Sequence, residues 1–568
     1  MNYLNKIFFL VNEKKIIILS LIFLFFFSSI FEVLGIGLIG SLIALLNDSG
    51  IENETFVGKF FYFFTELGFN ISSPSSLAVF IICVLIVRLF FQLISNYIIL
   101  SFTNNTSKNL RKKLISTYLN LNYLDFVNKD SSSSYNELTS LTDQFTNLLL
   151  VSLKLASDLI LLIFIISMLL LVNIKIFFIL FLLFLFLFAM NKIFFSKKIA
   201  NLGFESNKLT EKIFKYFKDG LSGFKQIRVV NKTNFILEKI SQSLKQHAQI
   251  LIKYNFFLVF IRYFIELTIA IILIISAILI YRIYDEANAL IVLSVFAISA
   301  IRILPIVTNL INSFNVLFYS KNAIDRLTTA IKLKKETIFT ENRNEIQDFQ
   351  FKSLQIKNLN FSYKDKKVLK NVSLDIYTKD LVLITGPSGS GKTTLLDIIS
   401  GLIKTKNGVL AVNNHTSDEH INSFKSKIYY LSQKNFILND TLTNNVAFAA
   451  YKIDQDRLDE AIRLSGLEIF RLKQKNNINE QLGEDASKIS GGESQRIALA
   501  RAIYANKEIL ILDEFTSSLD KENENKIFER IVELNKSKTI IIVSHNLKIK
   551  EIANKAFKLN EGELIRIK

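Results

Sequence analysis

Six stretches of the chain run almost unbroken in Leu, Ile and Phe. They extend from about Lys14 to Leu46, Leu77 to Phe102, Asp158 to Val172, Ile174 to Met190, Phe256 to Tyr281 and Ala287 to Leu317. A helix rises about 1.5 Å per residue, so about 20 residues cross the hydrocarbon core of a bilayer. The pattern predicts six transmembrane helices. The third and fourth are separated by little more than Asn173 and Lys175, which predicts a tight turn at the far membrane face. The first and sixth runs are longer than a crossing needs and should tilt or protrude. Near Ile331 the pattern changes. Short β-branched runs bounded by Gly, Asn, Asp and Ser then alternate with helical periodicity, as in an α/β domain. The expected division is a membrane domain over residues 1–330, a linker over 331–350 and an α/β domain over 351–568.

Composition supports the membrane reading. Half of the 568 residues are hydrophobic, 21% are charged and mean hydropathy is +0.34. That excess of apolar side chain has to face lipid. The 51 Phe against 3 Pro and 19 Gly exclude disorder and collagen-like repeats. A single cysteine, Cys83 within an apolar run, excludes an intrachain disulfide framework.

Net charge is +18, from 68 Lys and Arg against 50 Asp and Glu. In a membrane chain this excess belongs on cytoplasmic loops. No basic stretch in the soluble part is interleaved with stacking aromatics, so no nucleic acid is expected as a partner. Between Lys192 and Lys253 there are 13 Lys and Arg against 4 acidic residues, and Lys108, Arg111, Lys112 and Lys113 are equally one-sided. The stretch from Asn47 to Ser76 has Lys59 as its one cation beside four acids. The basic loops, the N-terminus and the α/β domain are therefore expected in the cytoplasm. The first apolar run is too long for a cleavable signal peptide. Helical spacing at Leu110, Leu114, Tyr118 and Leu121, and at Ile213, Phe217 and Leu221, predicts that membrane helices continue into the cytoplasm. They should reverse near Asn122 to Asp130 and Gly220 to Val230, tips able to rest on the α/β domain.

The α/β half carries a phosphate-binding loop, Gly386-Pro387-Ser388-Gly389-Ser390-Gly391-Lys392-Thr393, between a strand ending at Thr385 and a helix opening at Thr394. Its glycines let backbone N–H groups close on phosphate, Lys392 neutralises β- and γ-phosphate charge, and the Thr393 hydroxyl reaches Mg²⁺. The apolar run Ile509 to Leu512 ends in Asp513 and Glu514. Asp513 would complete the Mg²⁺ shell and Glu514 would polarise an attacking water. A second apolar run ends in Ser544-His545, placing His545 toward the γ-phosphate. The other three histidines, His247, His415 and His420, read as solvated.

Between these lies Ile489-Ser490-Gly491-Gly492-Glu493-Ser494-Gln495-Arg496, a small-residue turn opening a helix. Together these motifs resemble those of ATP-binding cassette (ABC) transporters of the exporter type. The resemblance implies ATP and Mg²⁺ as cofactors and a membrane all-α domain of six helices followed by an α/β P-loop domain. It implies that Tyr363 stacks on adenine and that Gln433 contacts Mg²⁺ and the membrane domain. Ser490, Gly491, Gly492 and Glu493 match the signature loop, and Ser518-Leu519-Asp520 the loop that communicates across a dimer. Glu484 resembles an exporter segment preceding the signature. Ile489 stands where Leu is usual, and Glu493 where Gln is usual. Because the family's signature covers the ATP of the other subunit, the resemblance implies a half-transporter working as a homodimer with two equal sites.

Three arginines fall within or at the ends of membrane spans: Arg88, Arg262 and Arg302. Each costs about 2.5–3.5 kcal/mol at a helix centre on insertion scales. Snorkelling or pairing is one reading, with Glu266 four residues from Arg262; a basic cavity for an anionic headgroup is the other. Ile301-Arg302-Ile303-Leu304-Pro305, Tyr123-Leu124-Asp125-Phe126 and Gly220 to Ile227 are similar to segments of bacterial lipid-linked oligosaccharide flippases. That similarity implies a polyprenyl-pyrophosphate glycan as substrate and the bacterial inner membrane as the location. Phe56, Phe60, Phe63, Phe64 and Leu67 form one helical face, read either as an interfacial helix meeting a lipid tail or as an extension of a membrane span. Export of lipid A, peptides or drugs is the alternative within the family; an ATP-gated channel or regulatory subunit is the alternative outside it.

Overall fold

The structure is a computed structural model describing residues 3–11, 15–46, 62, 64–66, 68, 73–172, 196–283, 286–333, 349–364, 366–405, 407–474, 480–483, 488–516 and 521–568. Two compact units result: residues 1–121 with 126–335, and residues 336–568 with 122–125.

The first unit is helical. A short helix α1 (Tyr3–Val11) precedes α2 (Lys15–Leu46), and α3 spans Pro74–Leu119. Next come α4 (Thr142–Val172), α5 (Ser196–Ser222), α6 (Thr233–Ile283), α7 (Glu286–Tyr319) and α8 (Lys321–Lys332). Ser73 starts α3 with a capping box, its hydroxyl accepting from the Ser76 N–H, and Pro74 stands at the first helical position. Among the described residues four helices are long and apolar enough to cross a membrane: Ile16–Ile43, Pro74–Leu119, Ser131–Leu170 and Ala297–Tyr319. The expected fourth span, 174–190, lies outside the described residues. The fifth falls within α6, a single 51-residue helix.

Helices α3 and α6 continue well past their apolar runs, and α5 carries the helical spacing at Ile213, Phe217 and Leu221. The first reversal contains a short helix, Tyr123–Asn128, and the second another, Phe224–Val229. Residues Asn122–Asp125 belong to the second unit, where Tyr123 and Leu124 pack against one of its apolar clusters.

Inside the first unit, Ile36 of α2, Leu162, Ile165 and Leu169 of α4, and Ile306 and Leu310 of α7 form one buried cluster. Charge is buried too. Glu137, at a π-helical turn leading into α4, accepts from the Tyr118 hydroxyl and from Lys129 at 2.9 Å. Arg326 of α8 lies 3.5 Å from Glu137 and 2.7 Å from Glu211 of α5. Such a network has every partner near a counter-charge, which a buried carboxylate requires. At Gly203 of α5, an added Cβ would lie 2.1 Å from the Tyr319 carbonyl oxygen at the end of α7, so only glycine permits this backbone approach. His247 is not solvated as its sequence context suggests: α6 packs it half-buried beside α5, with Nε2 3.1 Å from Ser206 Oγ and 3.4 Å from Thr210 Oγ1. Of the five aromatic and leucine positions read as an interfacial face, only Phe64 is described; its ring sits 5.3 Å from that of Phe80 in α3.

The second unit is α/β. Strands β1 (Ser353–Tyr363), β2 (Lys366–Tyr377) and β4 (Val409–Val412) form a small antiparallel sheet. The main sheet has the order β5-β6-β7-β3-β8-β9. Here β3 is Leu381–Thr385, β5 Ile428–Leu431, β6 Ile509–Asp513, β7 Thr539–Val543, β8 Lys555–Asn560 and β9 Glu563–Arg566. All pairings in it are parallel except β8 with β9. The strands are apolar on both faces, as a covered parallel sheet requires. Leu383, Leu510, Leu512, Ile540 and Ile542 point into one buried cluster, and Val382, Ile384, Ile509, Ile511, Ile541 and Val543 into the other.

Candidate functional site

The strand order explains the site. β5, β6, β7 and β3 are parallel neighbours, so the residues following their C-terminal ends gather on one edge of the sheet: Gln433, Asp513-Glu514, Ser544-His545 and the phosphate loop. Ligands of open parallel sheets bind at such an edge.

The phosphate loop joins β3 to helix α9 (Lys392–Ile399), whose N-cap is Gly391 with φ +105°. At Gly386 a Cβ would sit 2.2 Å from the Leu559 carbonyl oxygen, so this turn also accepts only glycine. The Lys392 ammonium is buried and donates to the Gly386 and Pro387 carbonyls at 2.8 and 3.1 Å. It also lies 3.8 Å from Glu514. The Ser390 hydroxyl is buried with no hydrogen-bond partner among the described residues. A buried hydroxyl without a partner in a glycine-rich loop at a helix N-terminus fits a phosphate oxygen, which would satisfy it.

The surroundings of Asp513 are equally compact. Thr393 Oγ1 donates to Asp513 Oδ2 at 3.2 Å, and the Tyr430 hydroxyl donates to the same oxygen at 3.2 Å. Burial holds the Asp513 carboxyl above the usual carboxylate range, against the hydrogen bonds of Tyr430 and Thr393. Burial, with the Asp513 charge adding, pushes Asp397 up to about 6. Burial, Asp513 and Asp397 together raise the Tyr430 hydroxyl. Two buried carboxyls at elevated pKa are a cluster that a divalent cation would ionise and stabilise. The donor set, a hydroxyl and a carboxylate oxygen with room for phosphate oxygens, suits Mg²⁺.

Glu514 projects from the end of β6 with φ +46°, a left-handed conformation unusual for a residue with a Cβ. Its N–H is held by the Val543 carbonyl at 3.1 Å. Gln433 Nε2 donates to Glu514 Oε2 at 2.7 Å, and His545 Nε2 lies 4.0 Å from Oε1. Three sequence-flagged residues thus surround one carboxylate. Tyr363 is partly exposed near the start of α9, its hydroxyl 3.5 Å from Thr394 Oγ1 and its ring edge-on to Phe361.

The signature residues stand apart from this cluster; no hydrogen bond or ion pair joins Ser490 to Glu493 with the phosphate loop among the described residues. They open α10 (Gly491–Tyr504) with a capping box. Ser490 N–H donates to Glu493 Oε2 at 2.8 Å, and Glu493 N–H donates to Ser490 Oγ at 3.2 Å. Glu at this position therefore closes the cap and sets a negative charge at the positive end of the helix dipole. Asp520 and Glu484 lie outside the described residues.

Sequence reading missed Tyr430, Asp397 and Arg501. Arg501, buried in α10, donates to the Asn445 and Phe436 carbonyls at 2.7 and 2.8 Å, fastening the segment after Gln433 to the signature helix. Nothing in its local sequence distinguishes it from a solvated arginine on an amphipathic helix. Asp397 carried a signal: a carboxyl at an otherwise apolar position of α9.

Residues 369–517 match the model for the ABC transporter domain, and residues 17–304, just over half of the chain, match that for the ABC transporter transmembrane region. This chain belongs to the ABC transporters. The domain match implies ATP as the ligand of the phosphate loop. Two curated relatives of this ABC transporter are the ATP-dependent lipid A-core flippase of Syntrophus aciditrophicus and the microcin-J25 export ATP-binding/permease protein McjD of Escherichia coli. The first is 34% identical over 213 residues, which are 37% of this chain and 35% of the relative. The second is 37% identical over 218 residues, 38% of this chain and 37% of the relative. The matched part thus spans about a third of each relative's length. A bacterial Atm1-family ABC exporter solved with ATP bound superimposes with a TM-score of 0.76 over 94% of both chains at 16% identity, which shows the exporter fold.

In the membrane unit, the three arginines of this ABC transporter are all paired. Arg262 bonds Glu266 one turn away, Nε to Oε1 2.9 Å. Arg88 and Arg302 converge on Glu32 of α2, Arg302 Nε at 3.1 Å from Oε1 and Arg88 Nε against Oε2. The Glu32 pairing runs between helices, so no spacing along the chain signals it.

Proposed function

We propose that this ABC transporter is an ATP-driven exporter of the bacterial inner membrane, working as a homodimer and flipping an anionic amphiphile from the cytoplasmic to the outer leaflet. A lipid-linked, polyprenyl-pyrophosphate oligosaccharide is the cargo this reading favours. The observation that carries the ATPase part is the convergence of Lys392, Thr393, Asp513, Gln433, His545 and Glu514 on one sheet edge. Support for the anionic headgroup comes from Arg88, which lines a polar pocket in the membrane unit, and from Arg302, which shares its partner Glu32.

In this reading the loop N–H groups from Gly386 to Thr393 and Lys392 bind the β- and γ-phosphates, and Tyr363 orients adenine. Thr393, Asp513 and Gln433 would hold Mg²⁺, which when bound neutralises phosphate charge. Glu514, steadied by the Gln433 amide, accepts a proton from the attacking water, while His545 donates a hydrogen bond on the γ-phosphate side. Ser490, Gly491 and Gly492 offer N–H groups and a helix N-terminus to the ATP of a second copy, with Asp520 lining the dimer contact. The long cytoplasmic helices transmit closure and release of the cassettes as alternate membrane-facing states.

Purified protein reconstituted in proteoliposomes should hydrolyse ATP and be stimulated by a lipid-linked pyrophosphate sugar more than by lipid A or a hydrophobic peptide. Glu514→Gln should lower turnover at least about 100-fold with ATP binding retained. Stimulation by lipid A or peptide alone would move the cargo to those classes. Ion conduction that persists in Glu514→Gln would mark a gated channel instead.

A further inference from the structure

Glu32 lies where the two membrane arginines meet, and its side chain is only 4% exposed. It comes from α2, Arg88 from α3 and Arg302 from α7, so the cluster exists only once three helices pack. Glu32 and Arg88 line a polar pocket of about 330 Å³ together with Gln92, Asn96, Lys154, Asp158 and Asn309, and Arg302 is tied to it through Glu32. One carboxylate facing two guanidiniums leaves the trio one positive charge in excess. Each guanidinium has five donors, more than the two Glu32 oxygens can take, and the Arg302 side chain keeps 43% of its surface free. The arrangement is thus satisfied enough to persist in the membrane, where a bare arginine would be costly, yet it retains donors for further oxygens.

We propose that Glu32 is a built-in counter-ion that holds Arg88 and Arg302 until an anionic headgroup displaces it, and that it sets the selectivity for diphosphate over monophosphate. This rests on the anionic-headgroup reading given above. To displace a carboxylate already paired with two arginines, a ligand must offer oxygens to both at once. A pyrophosphate spans two guanidiniums with charge-assisted, bidentate bonds. A monophosphate that engages one arginine leaves Glu32 on the other and gains little. Specificity here comes from an internal competitor rather than from a tighter pocket.

The test uses the full chain in phosphatidylcholine proteoliposomes, with ATPase stimulation by undecaprenyl pyrophosphate and by undecaprenyl monophosphate as readouts. Wild type should respond at lower concentrations of the pyrophosphate. Glu32→Gln removes the charge and keeps the shape. It should lower the half-maximal concentration of the monophosphate about tenfold, equivalent to about 1.4 kcal/mol, and narrow the ratio between the two lipids. Glu32→Asp, which keeps the charge on a shorter stem, should shift the ratio in the same direction by less, and it carries the test if Glu32→Gln does not fold. Ratios unchanged in both variants, with only a lowered thermal midpoint, would overturn the proposal and leave Glu32 a structural ion pair. A wild type that responds to neither lipid would overturn the headgroup reading and this proposal with it, whereas a responsive wild type with unmoved variants sinks this proposal alone.

Discussion

The phosphate site and the membrane charge cluster are built in opposite ways. In the phosphate site, eight consecutive residues form the loop, and neighbouring strand ends bring Gln433, Asp513, Glu514 and His545 beside it. Its geometry follows from backbone: positive-φ glycines, a helix N-terminus and adjacent parallel strands. In the membrane cluster, each charge comes from a different helix, and the partners are nowhere near one another in sequence. Local chemistry there is meaningless until the helices pack. A site made of backbone can be read from a short string, whereas a site made of long side chains meeting across an interface cannot.

This contrast can be broken at three places. The largest effect is expected at Lys392. Lys392→Ala should cut ATP hydrolysis about 100-fold or more while shifting the thermal midpoint little, because the ammonium's two hydrogen bonds go to carbonyls of its own loop and Glu514 stands farther off at 3.8 Å. A large fall in thermal midpoint would mean that this loop, too, depends on tertiary support. A smaller loss, in stability rather than chemistry, is expected at Gly203. Gly203→Ala drives a Cβ into the Tyr319 carbonyl, forcing α5 and α7 apart. Overpacking of this kind costs about 1–3 kcal/mol, visible as a lowered thermal midpoint with ATP affinity of the cassette unchanged. An unchanged midpoint would show that the membrane unit absorbs such strain.

The smallest effect is at His247. Burial holds its pKa below the ordinary histidine value, so the unfolded chain takes up a proton that the folded one resists. Its contribution to stability is therefore full above the unfolded pKa, about 6.5, and is lost as pH falls through that value toward the folded one. His247→Gln should flatten the fall in thermal midpoint between pH 7 and 5 relative to wild type. An identical pH profile in the variant would assign that fall to other groups.

Much of the fold was legible beforehand. The membrane helices read from their apolar runs appear where described, and the β3–loop–α9 unit and the strand ending in Asp513 and Glu514 stand as their motifs predict. The signature turn was legible too, and its departure from the usual Gln has a physical account in the Ser490–Glu493 capping box. What stayed hidden depended on distant partners. Tyr430 and Asp397 meet Asp513 only because β5, β6 and α9 lie together. Arg501 matters because the segment holding Asn445 folds onto α10. His247 appeared solvated because one helix alone cannot bury it.

The sequence by itself determined which of the described segments are long and apolar enough to cross a membrane, where the phosphate loop stands between its strand and its helix, and the family to which the chain belongs. Each of these follows from local rules of periodicity, charge asymmetry and backbone conformation. Only the tertiary structure decided that Arg88 and Arg302 share Glu32, that Gln433 and His545 flank Glu514, and that α5 and α7 touch backbone to backbone at Gly203. Those are consequences of which elements pack side by side, and a linear pattern encodes that packing through many weak contacts rather than through any readable string.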